Sequence, residues 1–543
     1  MKTMKQFSMF VTGLAFFFCL CSLGLAGPCE NLKKLKLPDT AITSATSVSP
    51  PFTSPPSSLG QATVLVPFCR VEAVVTPSVK FEVWMPPPGS WNQRFEGVGN
   101  GAFAGGINYP SMNVALTTGF GTASTDTGHV SGVFDASWAL GHPELIEDWA
   151  VRSAHVMTVA AKAIVTAYYG EYPLYSYFSG CSGGGRQALR EAQDFSDDYD
   201  GILVGAPARF ETHMIPGMLW NATVTLKDPD SYIPASKLPL IANAVIAHCD
   251  GLDGIVDGLI NDPRRCDFHP KTLQCQGPDA PTCLTAPQVK ALQEIYKGAR
   301  TCWGEQIYPG FMPGGELGPG GWASWITGPA PGSSFDFLVG DSFFKYMVFE
   351  NPSWDWRTFH FDGDVAFTDA KLGYINGDNP DLRSFKARGG KMVMYHGWSD
   401  PAISPLDTID YYHSVVAFMD HHKRHHPAAG GPLHETQEFF RLFLMPGVQH
   451  CSGGPGPDRF DGIGVLRQWV EHRIAPDKII ASHYTGNAVD RTRPLCPYPE
   501  VARWTGKGST DDAANFVCVR KGLNGDDEDR DFDHGRDWWD DDR

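Results

Sequence analysis

Short apolar runs rich in β-branched and aromatic residues recur along the chain, and such runs are typical of strands buried in a sheet. Between them lie segments with helical spacing of apolar residues, such as DWAVRSAHVMTVAAKAIVTAYYG and RQALREAQDF. The strand-like runs are ATVLVPFCRVEAVV, VKFEVWMP, RFEGVGNG, YSYFSG, YDGILVGAP, KMVMYHGW and FRLFLMPG. Alternating strands and helices predict an α/β fold in which helices cover a sheet.

The alternation is interrupted between residues 207 and 391. Turns, Gly-Pro clusters such as GPGGWASWITGPAPG, five cysteines and many aromatic residues replace it there. We interpret residues 208–388 as a second domain inserted into an α/β core. The core then consists of residues 61–207 and 389–520.

Both ends of the chain differ from this body. Lys2 and Lys5 precede an apolar run that ends in small residues, so residues 1–26 are predicted to be a secretory signal peptide. A membrane anchor is the alternative, although the run is near the lower limit for crossing a bilayer. Residues 27–60 are rich in Pro, Ser and Thr, and we expect a surface arm rather than a packed element. The acidic residues 521–543 are expected to form a disordered tail.

The charge and the cysteines narrow the possible partners and the compartment. The 543 residues carry a net charge of −17, which argues against a nucleic-acid partner even though much of this charge lies in the tail. We also expect no membrane partner after removal of the signal. The remaining cysteines are disulfide candidates in an exported chain, with one left over. Nothing in the sequence determines the oligomeric state.

The segment YSYFSGCSGGGRQALR places Ser182 in a G-x-S-x-G pattern directly between a predicted strand and a predicted helix. This is the context of a nucleophilic serine on a sharp turn, where only small neighbours fit between strand and helix. The following helix directs the positive end of its dipole at a developing oxyanion. The alternative is a glycine-rich turn that merely ends a strand.

A nucleophilic serine needs a histidine base and a carboxylate that orients it, in the chain order Ser, Asp, His for this context. Asp400 follows the strand KMVMYHGW, and His450 follows the strand FRLFLMPG. His396 lies inside a strand and His472 inside a helix, so both fit the base worse, and a core or surface role is expected for them. We therefore predict Ser182, Asp400 and His450 as a catalytic triad.

Two cysteines flank these candidates, since Cys181 precedes Ser182 and Cys451 follows His450. If they are bonded, their Cα atoms lie about 5.5 to 6 Å apart, which holds Ser182 and His450 close together. An ordinary stabilising disulfide is the alternative interpretation.

At these residues the sequence resembles the secreted tannase and feruloyl esterase family, whose members share a Cys-Ser...Asp...His-Cys arrangement. The resemblance runs from about Cys69 to Cys518 and includes FEVWMP, WNQRFEGVGNGAFAGG, STDTGH, YFSGCSGGGRQAL, HGWSDP and PGVQHC. It implies an α/β-hydrolase core with a lid domain inserted between the nucleophile and the acid, and the same triad. It also implies the disulfides Cys181–Cys451, Cys249–Cys266, Cys275–Cys283 and Cys496–Cys518, a further Cys29–Cys69 pair, and Cys302 as the odd thiol.

The triad predicts an acyl-enzyme mechanism in which His450 takes the Ser182 proton and Asp400 stabilises the imidazolium. The backbone N–H of Gly183 is expected to hold the oxyanion together with a second amide from an earlier strand-to-loop turn. GVGNGAFAGG supplies such a turn, and Gly101 is our candidate within it. A plain glycine turn is the alternative for Gly101.

The segment DGLDGIVDGLIND, residues 250–262, spaces three aspartates closely, and hard carboxylate oxygens of this kind suit calcium. The spacing is not that of an EF-hand. The resemblance places a structural Ca²⁺ here, with the alternative of a solvated acidic turn. The ligands carried over are the carboxylates of Asp250, Asp253 and Asp257 and the carbonyls of Ile255 and Leu259.

The resemblance supplies the expected function, a secreted serine carboxylesterase for esters of aromatic acids such as gallate or ferulate. Its partner would be a small-molecule or plant-derived phenolic ester. A hydrolase of other aryl esters, such as mono-aryl terephthalates, is the alternative enzyme, because lids change substrates while triads persist. A non-catalytic, calcium-dependent binding module is the alternative from another class, and the intact triad counts against it.

Overall fold

The computed structural model describes residues 28–421 and 431–520. The predicted signal peptide and the predicted acidic tail lie outside the described residues. The strands are β1 (Thr40–Val48), β2 (Phe52–Thr53), β3 (Thr63–Val64), β4 (Phe68–Val75), β5 (Val79–Met85), β6 (Arg94–Val98), β7 (Gly121–Thr125), β8 (Tyr175–Cys181), β9 (Gly201–Gly205), β10 (Gly298–Arg300), β11 (Gln306–Pro309), β12 (Lys391–Gly397), β13 (Phe440–Met445), β14 (Ile479–Thr485), β15 (Ala488–Leu495), β16 (Glu500–Trp504) and β17 (Phe516–Arg520).

The helices alternate with these strands in the core and dominate the insertion. They are α1 (Tyr109–Thr117), α2 (Pro143–Glu147), α3 (Ser153–Tyr169), α4 (Gly183–Asp194), α5 (Glu211–Leu226), α6 (Leu238–Cys249), α7 (Ala286–Lys297), α8 (Trp322–Trp325), α9 (Phe335–Phe343), α10 (Phe361–Leu372), α11 (Arg383–Ala387), α12 (Pro405–His421), α13 (Gly431–Gln437) and α14 (Gly462–His472). Among the described residues, no helix combines the length and apolar character that crossing a bilayer requires.

A nine-stranded mixed sheet in the order β1-β4-β5-β7-β6-β8-β9-β12-β13 forms the centre of the molecule. Within this sheet the neighbours β7, β6, β8, β9, β12 and β13 run parallel, and β1, β4, β5 and β7 pair antiparallel. The parallel strands are almost wholly buried because helices such as α3, α4 and α14 pack on them. In a parallel sheet all C-terminal strand ends meet at one edge, so the loops after β8, β12 and β13 lie at the same edge.

The N-terminal segment differs from the expected surface arm. Within residues 27–60, β1 pairs antiparallel with β4 and forms the edge of the central sheet. The disulfide Cys29–Cys69 joins the start of this segment to β4. Only Ala45 of β1 is buried, so the strand has few apolar residues that could have identified it. Backbone pairing at a sheet edge, rather than apolar burial, holds it in place.

The chain leaves the sheet after β9 and returns to it at β12, and these two strands are direct neighbours. The intervening residues form α5 to α11 and the small sheet of β10 and β11. This insertion has an apolar cluster of its own around Tyr296 and Trp322. A second apolar cluster joins it to the core, where Phe343 and Leu219 of the insertion lie with Phe103 of the core. The insertion is therefore a separate structural layer that is packed firmly onto the core.

Candidate active site

Ser182 lies between β8 and α4 on a strained turn. Its φ of 64° and ψ of −124° give this non-glycine residue a positive φ. Such strained backbone conformations are concentrated at functional sites. The Ser182 amide donates to the Gly205 carbonyl at 3.0 Å, and its own carbonyl accepts from the amide of Ala208 at 3.0 Å. The main chain on both sides therefore holds the serine in this strained position.

The glycines of the predicted pentapeptide are required by close backbone approach. A Cβ on Gly180 would lie 2.2 Å from the Gly184 carbonyl oxygen, and a Cβ on Gly184 would lie 2.7 Å from that of Asn100. Both contacts are with backbone, which cannot move aside cheaply. Strand, turn and helix can therefore approach one another only if both positions are glycine.

Asp400 and His450 meet although 50 residues separate them. His450 Nδ1 lies 2.8 Å from Asp400 Oδ2, and Asp400 Oδ1 accepts the amides of Ala402 at 2.8 Å and Ile403 at 2.9 Å. Because the aspartate is an acceptor, Nδ1 carries the proton and Nε2 is the nitrogen that can act as a base.

The Asp400 carboxylate is fully buried, yet it is held in its charged form. Burial by itself would raise the pKa of Asp400, but the charge of His450 and hydrogen bonds from His396 and His450 outweigh burial. They hold the pKa well below its usual range. Asp400 is therefore ionised at every pH at which the enzyme is expected to work.

The predicted bridge between Cys181 and Cys451 is present, with a Cα–Cα distance of 5.9 Å. It ties the end of β8, where Ser182 follows, to the loop after β13, where His450 precedes Cys451. The structure thus brings Ser182 to the neighbourhood of the Asp400–His450 pair. The other implied bridges, Cys249–Cys266, Cys275–Cys283 and Cys496–Cys518, are present as well, and Cys302 is a free, exposed thiol.

His396 was expected to have a core or surface role, and it is indeed fully buried near the end of β12. Its Nε2, however, lies 3.1 Å from Asp400 Oδ2, the same oxygen that contacts His450. Sequence reasoning missed this contact. The only signal for it was the spacing in HGWSD, where a histidine precedes the candidate acid by four residues across the end of a strand.

The amides that can hold an oxyanion lie at the N-terminus of α4 and in the turn after β6. A Cβ on Gly183 would lie 3.0 Å from the Ala102 amide nitrogen, so the amide beside Gly183 is that of Ala102, one residue after the predicted Gly101. Ala102 has a φ of 43°, and its carbonyl accepts from Trp149 Nε1 at 3.0 Å. Gly101 itself has room for a side chain, since a Cβ there would meet only Leu59, at 3.6 Å.

An aromatic roof, formed by Trp325, Phe335 and Phe134, lies beside His450. The ring of Trp325 is edge-to-face with that of His450 at 5.1 Å, and it contacts Phe335 at 5.3 Å. Phe134 of the core packs on Phe335 at 4.5 Å. Trp325 and Phe134 are partly buried and pack against the margins of the apolar clusters, whereas Trp322, Phe343 and Phe344 are fully buried within them. Among these aromatic residues of the insertion, Trp325 is the one that contacts His450.

All three aspartates of the predicted calcium site accept backbone amides of their own loop, and Asp257 also reaches out of the loop to Arg493. Asp250 accepts the amides of Asp257 at 3.2 Å and Gly258 at 2.9 Å, which curls the loop back on itself. Burial raises the pKa of Asp253, and the charges of Asp257 and Asp250 add to this effect. The buried guanidinium of Arg493 pairs with Asp257. Carboxylates that repel one another in a closed loop fit a hard cation, and Arg493 balances one of their charges.

A further cluster of potential metal ligands lies between α3 and the end of α4. Ligand atoms of His155, Glu191 and Asp198 are within 4.8 Å of one another. Burial and the charge of Asp198 raise the pKa of Glu191, while the ammonium group of Lys162 opposes them. Lys162 Nζ also donates to the Asp198 carbonyl. Because an internal cation already faces these acids, we interpret the cluster as a charge-balanced part of the core.

Comparison with known proteins agrees with this geometry. Residues 62–519 match the family described as tannase and feruloyl esterase. An uncharacterised esterase of Xanthomonas campestris is 41% identical, with 92% of each chain covered. Mono(2-hydroxyethyl) terephthalate hydrolase of Piscinibacter sakaiensis is 36% identical, with 81% of each chain covered.

The crystal structure of feruloyl esterase B from Aspergillus oryzae superimposes with a TM-score of 0.81 at 30% identity, covering 90% of this chain and 99% of that one. These matches confirm the predicted α/β-hydrolase core with a large inserted lid domain. They also confirm the resemblance to the family from which that fold was expected. The chain belongs to the tannase and feruloyl esterase family, and it is a carboxylic ester hydrolase.

Proposed function

We propose that this protein is a secreted serine esterase that hydrolyses esters of aromatic, phenolic acids such as gallate or ferulate esters. One observation carries the proposal. The hydrogen-bonded Asp400–His450 pair is tied by the Cys181–Cys451 bridge to the strained turn that presents Ser182. A nucleophile, a base and an orienting carboxylate in this order are the parts that acyl transfer needs.

In the proposed reaction, His450 Nε2 accepts the Ser182 hydroxyl proton as Oγ attacks the ester carbonyl carbon. Asp400 stabilises the resulting imidazolium through Nδ1. His450 then protonates the departing alcohol, which leaves an acyl-enzyme on Ser182. Water, activated by the same histidine, attacks this ester and releases the acid.

The oxyanion of both tetrahedral intermediates would be held by the amides of Gly183 and Ala102. Ala102 replaces our sequence-based candidate Gly101, because its amide lies beside Gly183. The Ala102 N–H belongs to the Gly101–Ala102 peptide, whose carbonyl accepts from the Ala104 amide at 3.0 Å, and Trp149 holds the following peptide through the Ala102 carbonyl. Both bonds support a fixed orientation of the Ala102 amide. Two fixed N–H donors stabilise a developing oxyanion without reorganising during the reaction.

The aromatic roof supports an aromatic acyl group as the substrate. Trp325, Phe335 and Phe134 offer ring faces and edges next to His450, which suit a planar ring more than a flexible aliphatic chain. Some relatives are named feruloyl esterases, and that name implies an ester with an aromatic acyl group. A mono-aryl terephthalate is the second candidate, and the 36% identity to a hydrolase of that ester favours it.

The test is hydrolysis of methyl gallate, methyl ferulate, methyl caffeate and mono(2-hydroxyethyl) terephthalate by the wild type and by Ser182→Ala. We expect turnover of at least one ester and a loss of about 10⁶-fold in kcat for the variant. The ester that is turned over fastest identifies the acyl group. A folded wild type that hydrolyses none of them would remove the proposed substrate class and favour the calcium-dependent binding module.

We also propose a structural Ca²⁺ in the loop 250–262, held by the carboxylates of Asp250, Asp253 and Asp257 and the carbonyls of Ile255 and Leu259. When bound, the ion would neutralise these acids and cross-link the loop. The loop lies between Cys249 and Cys266, which are bridged, so its ends are fixed before an ion binds. No step of the ester hydrolysis depends on it.

Thermal unfolding with and without a chelator tests this ion. We expect chelation to lower the Tm of the wild type by several degrees, because an ion that binds the folded state alone stabilises it. Asp253→Asn should start at a lower Tm and respond little to chelation. The matched control is Asp267→Asn, an exposed carboxylate near the same disulfide, which should respond like the wild type. An unchanged wild-type Tm in chelator would contradict the proposal.

Export is proposed from the disulfides together with the N-terminal segment. Five bridges are formed among the described residues, and such bridges persist in oxidising compartments. Mass determination of the protein collected outside the producing cytoplasm should give a chain that begins close to residue 27. A full-length N-terminus on an exported, active protein would contradict the predicted cleavage.

A further inference from the structure

We propose that His396 is a positioning residue for the acid and base of the active site. Its Nε2–H fixes Asp400 Oδ2 and shares the charge of that oxygen with His450. The inference rests on the proposed triad, since it assigns a role within the same site. His396 does not touch the reacting atoms in this role but acts through Asp400.

The surroundings of His396 determine where its protons lie. Nε2 faces two acceptors, Asp400 Oδ2 at 3.1 Å and the Ile403 carbonyl at 3.0 Å, so it must carry a proton and donate. Nδ1 lies 2.8 Å from the hydroxyl of Thr408, which can donate to it. A neutral ring in this tautomer satisfies both nitrogens. Since the side chain is fully buried, these are the partners that offset its loss of water.

Asp400 is then held by four donors. Oδ2 accepts from the rings of His396 and His450, and Oδ1 accepts from the amides of Ala402 and Ile403. Rotation of the carboxylate would break bonds on both oxygens at once. Because Oδ2 divides its lone pairs between two rings, its attraction for the imidazolium of His450 is weaker than that of a carboxylate facing His450 alone.

Other titratable groups also face the His396–Asp400 pair, and each of them is still present when His396 is replaced. His450 approaches from the loop after β13, Asp336 from α9 and Tyr308 from β11. Asp407 of α12 faces His396 and is paired with Arg209 at 2.6 Å. A change in pH behaviour on replacing His396 alone is therefore attributable to the lost donor.

The decisive comparison is between His396→Met and His396→Gln. Methionine fills similar space without a donor, whereas the glutamine amide can place an N–H near the position of Nε2. We expect His396→Met to lower kcat/KM by about 10-fold to 100-fold, as for other residues that orient a catalytic group. The acidic limb of the pH profile of kcat/KM should move to higher pH, because Asp400 Oδ2 would then accept from His450 alone and would favour its protonated form more strongly. His396→Gln should recover most of the rate and the wild-type limb.

His155→Met is the control, since it removes a histidine that is likewise bonded to an aspartate, Asp198, but is only part-buried and lies outside the triad. It should leave the pH profile unchanged. If His396→Met does not fold, His396→Asn serves instead, because the shorter amide keeps a polar group near Thr408 but does not reach Asp400. It should show the same shifted limb.

Two results would overturn the proposal. One is a folded, donor-free variant with the wild-type kcat/KM and pH profile. The other is an equal loss in the Gln and donor-free variants with an unmoved acidic limb, which indicates packing alone. Failure of the proposed function looks different, because the wild type would then hydrolyse no ester of the panel or Ser182→Ala would keep its activity.

Discussion

The central sheet and the insertion contribute to the same site in different ways. In the sheet, Ser182, Asp400 and His450 follow the C-terminal ends of β8, β12 and β13, so backbone hydrogen bonding sets their positions. In the insertion, Trp325 reaches His450 from a short helix that is held by aromatic packing and loops. The proposed chemistry therefore depends on regular main chain, whereas the surface that would face the substrate depends on side-chain packing. Variants of the two regions should therefore fail differently.

The largest expected effect is a difference in kcat between variants of a core carboxylate, Asp400, and an insertion carboxylate, Asp336. Asp400→Asn should lower kcat by about 10⁴-fold with little loss of folded protein, because an amide no longer favours the required tautomer of His450. Asp336→Asn is the matched control. Burial raises the pKa of Asp336 well above its usual range, so an amide resembles its neutral form, and kcat should change only a few-fold. Similar losses in both variants would contradict the division between the two regions.

Removing one disulfide from each region gives the next largest effect. Cys181–Cys451 spans 270 residues and Cys275–Cys283 spans 8. Loop entropy predicts losses of about 5.5 and about 2.5 kcal/mol in the free energy of unfolding for the two double Ser variants. The core variant should also lose activity, because its bridge joins the nucleophile turn to the His450 loop. Denaturant unfolding and ester hydrolysis measure both, and equal kcat values in the two variants would argue against a catalytic role of the core bridge.

Two tryptophans of the same short helix sharpen the comparison within the insertion. Trp325→Ala should raise KM for aromatic esters about 10-fold, because this ring is part of the aromatic roof. It should lower the Tm less than the loss of Trp322, because the Trp325 ring is only partly buried. Trp322 is fully buried, so Trp322→Ala should cost about 3–5 kcal/mol of stability through the cavity it leaves. Kinetics with a matched aliphatic ester provide the control. A Trp325 variant that loses both esters equally would not support recognition of an aromatic acyl group.

The smallest expected effect is a change in how the free energy of unfolding depends on pH. Burial raises the pKa of Glu96 in β6 to about 7 from an ordinary value of 4.5, with a further contribution from Asp461, while a hydrogen bond from Ser179 opposes the rise. A raised pKa in the folded state means that folding favours the neutral acid. The contribution of Glu96 to the free energy of unfolding is complete at pH values below its pKa in the unfolded chain. It is lost as the pH rises from about 4.5 to about 7. Glu96→Gln should flatten this decline in denaturant unfolding measured across that range.

Glu211 of the insertion is the counterpart of Glu96. Burial raises its pKa to about 7 as well, but the charge of Arg186, 3.6 Å away, opposes the rise. Glu211→Gln should therefore lower stability at neutral pH, because it leaves a buried guanidinium without its charged partner. If Glu211→Gln is as stable as the wild type at pH 7, the ion pair does not contribute to holding the insertion on the core.

The strand-like runs predicted from the sequence correspond to real strands because each is a short, mostly apolar segment with many buried residues, on both faces in β9 and β12 and alternately in β4. Two strands of the central sheet escaped this reasoning. β7 has the sequence GTAST, whose small residues fit a crowded position but carry no apolar pattern, and β1 exposes most of its side chains. Each of these two strands is formed by pairing with strands from other parts of the chain. No local sequence pattern records such pairing.

The class of fold and the order of nucleophile, acid and base could be predicted from the sequence, because strands, turns and helices follow from local patterns, and the family resemblance added the bridge beside them. The tertiary structure was needed to show that His396 shares Asp400 with His450, that Ala102 rather than Gly101 lies beside Gly183, and that Trp325 contacts His450. It also placed Arg493 against Asp257 in the acidic loop. These contacts follow from how the loops at one sheet edge and the insertion pack together. Packing of this kind depends on the whole fold and not on any single segment.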